Sequence, residues 1–460
     1  MASLRLDEIA RIAGGAVLQG PAGLTFRSYG IDSRLAGPGS LFFAVPGRRD
    51  GHDFVADAAG RGAAGAVVAR PVAGLPPDFG LVLVPDAVAA LQAVAHDVLT
   101  RRPVRVVGVT GSVGKTTTKE FAAALLGRRF RVLKSEGNYN NHLGLALSLL
   151  RLEPGDDVAV LEMGMSAPGE ILALTRIAPP DIAVITNISP VHLQFFAGLD
   201  GIALAKKEIL DGAAPGAIAV VNADDPRVLG IAAGFPGRKV TFGRGPAADV
   251  RAERVEPKGY AGFEIVLRYG RESGRLPFPF LNEAAVANLL AAAAASLACG
   301  LRLDEIGPAV ASLRPTAGRG RLVEAGGIRI YDDSYNSNPR ALEAALTSLA
   351  GLPARRKVAV LADMLELGEG EAAFHRQAGE ILARTGWNVL VAVGPLAAQI
   401  ADGAAAAGLD AAAIHRFADS TAAAGAISSL VRDGDLVLVK GSRGMATEKV
   451  VEALAARGKE

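Results

Sequence analysis

The amino-acid sequence predicts an α/β protein of three domains. Its 460 residues correspond to about three domains at roughly 150 residues each. Short, wholly apolar runs rich in β-branched residues recur along the chain and stop at polar residues, and helical stretches separate them. Runs that are apolar on both faces are typical of parallel strands covered by helices. We expect a central doubly wound domain with a mostly parallel sheet, a Rossmann-like C-terminal domain and a smaller α/β N-terminal domain.

The predicted domains span residues 1–100, 101–313 and 314–460. The first has shorter strands and ends near a Pro at position 103. The strands expected in the second are Val104–Thr110, Val158–Leu161, Ile182–Thr186 and Ala217–Val221. A small β appendage around GFEIVLRYG is expected to precede an alanine-rich helix at residues 284–299. After a Pro and Gly-rich turn near residue 315, the third contains the runs Ile328–Tyr331, Val358–Leu361, Leu390–Val393 and Leu436–Val439.

Composition excludes several classes of protein. The chain has 49 Lys and Arg and 47 Asp and Glu, which gives a formal charge of +2. A protein that binds nucleic acid or an anionic membrane usually has a stronger excess of basic residues. The longest apolar stretch, Leu289–Cys299, is far shorter than the ~20 residues that span a bilayer. The first residues lack the apolar core of a signal peptide. Cys299 is the single cysteine. A lone cysteine is typical of a protein from a reducing compartment, and we expect Cys299 to be a buried structural thiol. We expect a soluble, cytoplasmic monomer without nucleic acid or membrane insertion.

A glycine-rich segment lies between a predicted strand and a predicted helix, Gly111-Ser112-Val113-Gly114-Lys115-Thr116-Thr117. Glycines let backbone N–H groups close around phosphate oxygens, and a helix N-terminus adds a favourable dipole. In such a P-loop, Lys115 would neutralise the β- and γ-phosphates and the Thr116 hydroxyl would reach Mg²⁺. The spacing is shorter than the common form, and a structural glycine turn is the alternative. The surrounding strand and helix favour nucleotide binding.

Four other residues carry weaker signals. Glu162 ends an apolar strand that is expected beside the P-loop strand, where a carboxylate commonly anchors Mg²⁺. The alternative for Glu162 is a solvated strand end. A lone histidine such as His192 is more often structural, and Lys206 and Lys207 in a predicted helix are more typical of a solvated face. Spacing alone therefore favours only Glu162 as a ligand.

A series of segments, in order from about residue 105 to residue 450, resembles the Mur ligases, the ATP-dependent amide ligases of peptidoglycan synthesis. The segments are GSVGKTTTKE, GNYNNHLGLAL, VLEMGMSAPGEI, ITNISPVHL, AKKEIL, VVNADDP, DDSYNSNP, VLADMLELGE and VKGSR. DDSYNSNP and the DMLELGE segment resemble the branch that joins D-alanyl-D-alanine to UDP-N-acetylmuramoyl-tripeptide. The N-terminal IDSRLAGPGSLFFAVPGRRDGHDF resembles the UDP-sugar-binding segment of that branch and of its nearest sister.

The resemblance implies roles for the weaker candidates. It implies that Lys206 is carbamylated, that Glu162 is a Mg²⁺ ligand and that His192 is associated with the metal, alongside Thr116. Neighbouring residues project to different sides of a helix, so only one of Lys206 and Lys207 can face the site. The implied nucleotide contacts are the P-loop residues, Asn288, Arg319 and Asp333.

The resemblance also implies substrate contacts. The N-terminal domain would hold the UDP end through Ser33 and Arg34, although an Asp-Ser-Arg turn can also simply cap a helix or loop. Asn336 and Asn338 are candidates for the face that presents the dipeptide. Where the family usually has His-Asn near the adenine, this chain has Ala284 and Ala285.

Four readings remain at this point. The first is the ligase that adds D-alanyl-D-alanine, with ATP and Mg²⁺ as cofactors. The second is the sister ligase that adds the third amino acid, for which the DDSYNSNP segment is wrong. The third is a folate polyglutamate ligase, which the UDP-sugar-like N-terminal domain disfavours. The fourth is a non-catalytic nucleotide-binding module, which the intact Lys115, Thr116, Glu162 and Lys206 disfavour.

Overall fold

The computed structural model of the chain describes residues 2–190, 193–196 and 198–457. Its larger sheets lie in successive stretches of chain, residues 16–83, 105–278 and 321–440. Parallel pairings predominate in each of them, as the apolar strand pattern predicts. The domain boundaries at residues 100 and 313 stay predictions. No helix of the described residues is long and apolar enough to cross a membrane.

The N-terminal stretch combines a short antiparallel pair with a five-stranded sheet. Its elements are β1 Leu4–Arg5, α1 Leu6–Ile12, β2 Ala16–Gln19, β3 Thr25–Phe26, β4 Ser28–Gly30, β5 Ser40–Phe43, α2 Val55–Gly60, β6 Gly65–Val68, β7 Gly80–Leu83 and α3 Ala87–Thr100. The sheet order is β2-β7-β6-β5-β4, with only the β2–β7 pair antiparallel. The Asp86 carboxylate begins α3 by accepting hydrogen bonds from the N–H groups of Val88 and Ala89, at 2.7 and 3.1 Å.

The central stretch is built on a sheet of nine strands among the described residues. Its elements are β8 Arg105–Thr110, α4 Lys115–Leu126, β9 Val132–Lys134, α5 His142–Leu149, β10 Val158–Glu162, α6 Glu170–Ile177, β11 Ile182–Ile185, α7 Gly198–Asp211, β12 Ile218–Asn222, α8 Pro226–Ala232, β13 Arg238–Gly243, β14 Val250–Pro257, β15 Phe263–Tyr269, β16 Glu272–Phe278, α9 Ala284–Ala298 and α10 Leu303–Ser312. The order is β16-β15-β14-β13-β12-β11-β8-β10-β9.

The prediction of a small β appendage was wrong in one respect. The antiparallel strands β14, β15 and β16 are present, but they extend the central sheet because β14 pairs in parallel with β13. The apolar alternation on β15 faces the same core as the alanine-rich helix α9. Phe278 and Phe280 stack at a centroid distance of 4.6 Å, and Phe121 of α4 packs edge-on against both. Aromatic contacts thus fix the helix that follows the P-loop against the antiparallel edge.

The C-terminal stretch is a six-stranded sheet flanked by helices, within the described chain. Its elements are β17 Arg321–Ala325, β18 Ile328–Asp333, α11 Pro339–Ala350, β19 Arg356–Ala362, α12 Glu371–Arg384, β20 Val389–Val393, α13 Ala397–Ala406, β21 Ile414–Phe417, α14 Ser420–Leu430, β22 Asp435–Lys440 and α15 Glu448–Ala456. The order is β17-β18-β22-β19-β20-β21, and only β17–β18 is antiparallel. Ligands of such sheets bind beyond the carboxyl ends of the strands, so we expect the functional site at those ends.

Candidate active site

A cavity of about 570 Å³ lies between the central and C-terminal sheets. Most of the lining residues of the central stretch lie at or after the ends of β8, β10, β11 and β12 and on α9, and they form one wall. Most of the lining residues of the C-terminal stretch lie before β17, at or after the ends of β18 and β22 and on α11, and they form the other. We call these the central wall and the C-terminal wall. Carboxyl ends of parallel strands from two different sheets therefore meet at one space, as the polar residues after each apolar run predict.

Both glycine positions of the P-loop, Gly111 and Gly114, require glycine. Gly114 has φ 88°, and a Cβ there would lie 2.0 Å from Asn288 Oδ1. Gly111 has φ 147°, and a Cβ there would lie 1.8 Å from Thr186 Oγ1. A side chain at either position would therefore displace a neighbour and strain the backbone. Asn288, an expected nucleotide contact, lies directly against the Gly114 turn of the P-loop.

The other side of the P-loop is held by the segment that follows β11. The Asn187 side chain accepts a hydrogen bond from Val113 N at 3.1 Å and donates one to Val113 O at 2.8 Å. Ser112 Oγ accepts from Ser189 N at 2.9 Å and donates to Ser189 O at 3.0 Å. Sequence reasoning missed Asn187 as a functional residue, although its position directly after an apolar strand was the available signal.

Lys115 begins α4 and folds back over the P-loop. Its Nζ donates to Gly111 O at 2.8 Å and to Ser112 O at 3.3 Å. Burial lowers the pKa of Lys115, the charge of Glu162 opposes that shift, and the charge of Arg319 adds to it. An anion at the loop would favour the charged ammonium, because opposite charges stabilise each other.

Glu162 lies beside the P-loop strand, as the sequence predicts, because β10 pairs with β8 and aligns Glu162 with Val109. It is only 3% exposed. Its Oε2 accepts a hydrogen bond from Thr116 Oγ1 at 2.7 Å, and its Oε1 accepts one from Asn140 Nδ2 at 2.8 Å. Asn140 was not singled out from the sequence, although it lies in the matched GNYNN segment. The carboxylate is therefore buried, paired at both oxygens and directed at the P-loop threonine.

Lys206 and Lys207 lie on different sides of α7, as helical geometry requires. Lys206 is 2% exposed, whereas Lys207 forms an ion pair with Asp211 at the surface. Burial lowers the pKa of Lys206 well below its usual range, and the charge of Lys115 lowers that pKa further. A buried lysine near a second ammonium is energetically unfavourable unless its charge is removed or compensated.

The predicted metal set is only partly covered by the described residues. His192 lies outside them. Among the side chains that the structure describes, no group of three or more His, Cys, Asp or Glu residues could hold a metal ion. Thr116 and Glu162 line the cavity together, and they supply the oxygen ligands that Mg²⁺ prefers.

The C-terminal wall presents cations to the cavity. The Arg319 guanidinium lies 3.9 Å from the centre of the Tyr335 ring. Lys440 Nζ donates to Asp333 Oδ2 at 2.6 Å and to Asn336 O at 2.9 Å. Burial raises the pKa of Asp333, and the charge of Lys440 opposes this shift. Lys440 was also missed by sequence reasoning, although it ends a predicted strand as Glu162 does.

The two asparagines expected at the dipeptide face have different local roles. Both line the cavity. Asn338 is the N-cap of α11, because its Oδ1 accepts a hydrogen bond from Ala341 N at 3.0 Å. Asn336 Oδ1 accepts a hydrogen bond from the adjacent Ser337 N at 2.9 Å, and the residue is exposed.

Ser33 and Arg34 are not part of this cavity. They lie in a short 3₁₀ turn, Ser33–Leu35, whose N-cap is Asp32. The Asp32 carboxylate accepts two hydrogen bonds from the Arg34 guanidinium, at 2.9 and 2.6 Å. The capping alternative therefore describes the local structure here, and the UDP contact of these two residues stays a prediction.

Comparison with known proteins is informative over the whole chain. The Mur ligase middle domain matches residues 109–296, and the Mur ligase, glutamate ligase domain matches residues 318–443. The UDP-N-acetylmuramoyl-tripeptide--D-alanyl-D-alanine ligase of Escherichia coli is 36% identical over 464 residues, with 100% of both chains covered. The chain belongs to the Mur ligase family.

Solved structures resemble this Mur ligase closely. MurF from Acinetobacter baumannii has a TM-score of 0.90 at 30% identity, with 99% of each chain covered. MurF ligase from Thermotoga maritima, solved in complex with ADP, has a TM-score of 0.83 at 31% identity, with 94% of this chain and 98% of that chain covered. The predicted three-domain α/β fold class is confirmed.

Proposed function

We propose that this Mur ligase joins D-alanyl-D-alanine to UDP-N-acetylmuramoyl-tripeptide with ATP, giving UDP-N-acetylmuramoyl-pentapeptide, ADP and phosphate in the cytoplasm. One observation carries the proposal. A P-loop with a buried Thr116–Glu162 pair faces a cationic wall, Arg319 and Lys440, across one cavity. The name of the Escherichia coli relative supports these two substrates.

ATP would bind along the central wall. The backbone of Gly111–Thr116 would enclose the phosphates, and Lys115 would turn from its loop carbonyls toward them. Arg319 and Asp333 would reach the nucleotide from the opposite wall, and Asn288 would support the loop. The Thermotoga maritima relative was solved in complex with ADP, which supports nucleotide binding.

The chain's own residues fit a Mg²⁺ ion. Thr116 and Glu162 offer oxygen ligands, and we propose that His192 and a carbamylated Lys206 complete the set. Carbamylation would convert the Lys206 amine and CO₂ into a carboxylate and release a proton, which relieves the cost of a buried ammonium beside Lys115. When bound, Mg²⁺ would neutralise charge on the phosphates.

The chemistry requires a better leaving group than oxide. The terminal carboxylate of the tripeptide attacks the γ-phosphorus of ATP, so ADP leaves and an acyl phosphate forms. The amine of D-alanyl-D-alanine attacks the acyl carbon, and the tetrahedral intermediate expels phosphate while the nitrogen loses a proton. Donor and acceptor are both anions, so Lys115 and Arg319 lower the barrier mainly by neutralising charge.

The remaining roles follow the predicted domains. Residues 1–100 would bind the UDP end, with Ser33 and Arg34 as contacts. Residues 101–313 would bind ATP, and residues 314–460 would present the dipeptide through Asn336 and Asn338. Closure of the C-terminal wall over the acyl phosphate would exclude water that hydrolyses it.

Mass spectrometry of the nucleotide product tests the proposal. With ATP, Mg²⁺ and UDP-N-acetylmuramoyl-tripeptide, the product should gain the mass of D-alanyl-D-alanine less one water when the dipeptide is present. An equimolar mixture of D-alanyl-D-alanine and single amino acids should give the same product. Addition of a single amino acid to a shorter UDP-muramoyl peptide would instead identify the sister ligase.

A further inference from the structure

A fully buried lysine lies behind the P-loop and outside the cavity lining. Lys119 is 0% exposed and lies on α4, four residues after Lys115 and three after Thr116. Removing an ammonium group from water is strongly unfavourable unless the group is well paired. Phosphate binding gives no reason for this burial, since Lys119 does not line the cavity.

The partners of Lys119 belong mainly to one loop. Its Nζ donates to Ser135 O at 2.6 Å and to Gly137 O at 3.4 Å, and it pairs with Glu120 Oε1 at 3.1 Å. An ammonium has three N–H donors, and each has an acceptor here. Glu120 also pairs with the partly exposed Lys134, which places the compensating charge toward solvent.

The loop that Lys119 holds supplies two contacts to Glu162. We call residues 135–140 the support loop. At its start, the fully buried Ser135 accepts a hydrogen bond on Oγ from Glu162 N at 3.1 Å. At its end, Asn140 Nδ2 donates to Glu162 Oε1 at 2.8 Å. The loop thus contacts both the backbone and the carboxylate of Glu162.

We propose that Lys119 is a positioning residue, which fixes the carbonyls of Ser135 and Gly137 and thereby holds the support loop, and with it the Glu162 carboxylate, in the orientation that the reaction uses. The proposal rests on the proposed function only for the role of Glu162. Helix α4 then carries Lys115 and Thr116 at the cavity and Lys119 behind it. A methionine at position 119 would fill much of the same volume and donate no hydrogen bond, so the support loop would lose its anchor.

Hydrogen exchange and kinetics of Lys119→Met test this role. We expect faster amide exchange in residues 136–140, and a kcat lower by about 10- to 100-fold, since a misplacement near 1 Å can cost about 100-fold. The KM for ATP should change less than about threefold, because the P-loop backbone is untouched. Leu125→Val, a core change on the same helix, is the matched control and should lower the melting temperature without either effect.

A double substitution tests the route of the effect. If Lys119 acts through Asn140, Lys119→Met should lower kcat much less in an Asn140→Ala background than in the wild type, because coupled residues are not additive. Lys119→Arg keeps a charged donor and should recover part of the kcat that Lys119→Met loses. Should Lys119→Met not fold, Lys119→Gln, which is uncharged and too short to keep the same donors in place, replaces it in the same comparison with Asn140→Ala.

Three results would overturn the proposal. These are wild-type exchange in the support loop of Lys119→Met, a rise in exchange spread evenly over the central sheet, and full additivity with Asn140→Ala. Exchange is measured without substrates, so it tests the anchoring whether or not the ligase reaction occurs. Failure of the wild-type protein to form product would overturn the proposed function alone.

Discussion

The two walls of the cavity are built in different ways. On the central wall, Glu162 is 3% exposed and both carboxylate oxygens have partners within the protein. The C-terminal wall pairs the buried Lys440 with Asp333. Its Arg443 side chain, however, is 64% exposed and forms an ion pair of 3.3 Å with Glu448 at the surface. Arg340, also on this wall, is exposed as well.

This difference matches the work that each wall would do. Phosphoryl transfer depends on reacting groups held within a fraction of an ångström, and buried, paired side chains have that fixed orientation. Long exposed side chains lose conformational freedom when they bind a ligand, which suits recognition of a substrate that arrives later. We therefore expect substitutions of the buried residues on the central wall to lower kcat strongly, and substitutions of the exposed residues on the C-terminal wall to change KM more modestly.

The largest loss is expected for Lys115→Ala. It removes the ammonium that we propose neutralises the transferred phosphate, and loss of one such group typically costs on the order of 10²–10³ in rate. Phosphate release from ATP measures the effect, with the surface substitution Lys258→Ala as the control. Near-normal turnover of Lys115→Ala would break the assignment of the central wall to phosphoryl transfer.

A comparable loss, with chemical rescue, is expected for Lys206→Ala. Removal of a carbamate would cost on the order of 10² in kcat, and added short-chain carboxylates should restore part of the activity by replacing the lost group. Lys207→Ala, one residue away on the exposed side of α7, should behave as wild type. Absence of any rescue, or equal losses in both variants, would contradict carbamylation of Lys206.

Smaller effects are expected on the C-terminal wall. Asn336→Ala should raise the KM for D-alanyl-D-alanine by about 2- to 10-fold, the size of one neutral hydrogen bond, with little change in stability. Asn338→Ala removes the N-cap of α11 and should lower the free energy of unfolding by about 1 kcal/mol. Steady-state kinetics and thermal melts of both variants separate recognition from capping. A kcat loss as large as that of Lys115→Ala would remove the distinction between the walls.

The smallest effect is expected at Cys299, in the core behind the central wall. Burial raises the pKa of this thiol to about 11, and only the thiolate is reactive. The native protein should therefore leave Cys299 unmodified by iodoacetamide at pH 8, and unfolded protein should react fully. Rapid modification of the native protein would show that the packing around α9 opens readily.

Particular residues show how far the sequence predicts this molecule. The wholly apolar strands and the polar residues after them were sufficient to locate the P-loop strand, the β10 neighbour and Glu162. The choice of Lys206 over Lys207 as a site residue came from family resemblance and not from spacing, because a pair of lysines on a helix has the pattern of a solvated face. Cys299 is buried, as its alanine-rich surroundings predict.

Long-range contacts explain what the sequence did not reveal. Asn140, Asn187 and Lys440 act through partners 22, 74 and 107 residues away, and no local pattern encodes such distances. The β14–β16 strands have the local pattern of an antiparallel unit, and only their pairing with β13 makes them part of the central sheet. The Asp32–Arg34 pair is local, and there the simple capping geometry was foreseeable.

Phosphate release from ATP in the presence of UDP-N-acetylmuramoyl-tripeptide, with and without D-alanyl-D-alanine, tests the central claim most directly. The account predicts that sustained release of ADP and phosphate requires the tripeptide nucleotide, ATP and the dipeptide together, with one phosphate released for each pentapeptide formed. Release that is independent of the dipeptide, or that requires a single amino acid in its place, would contradict it.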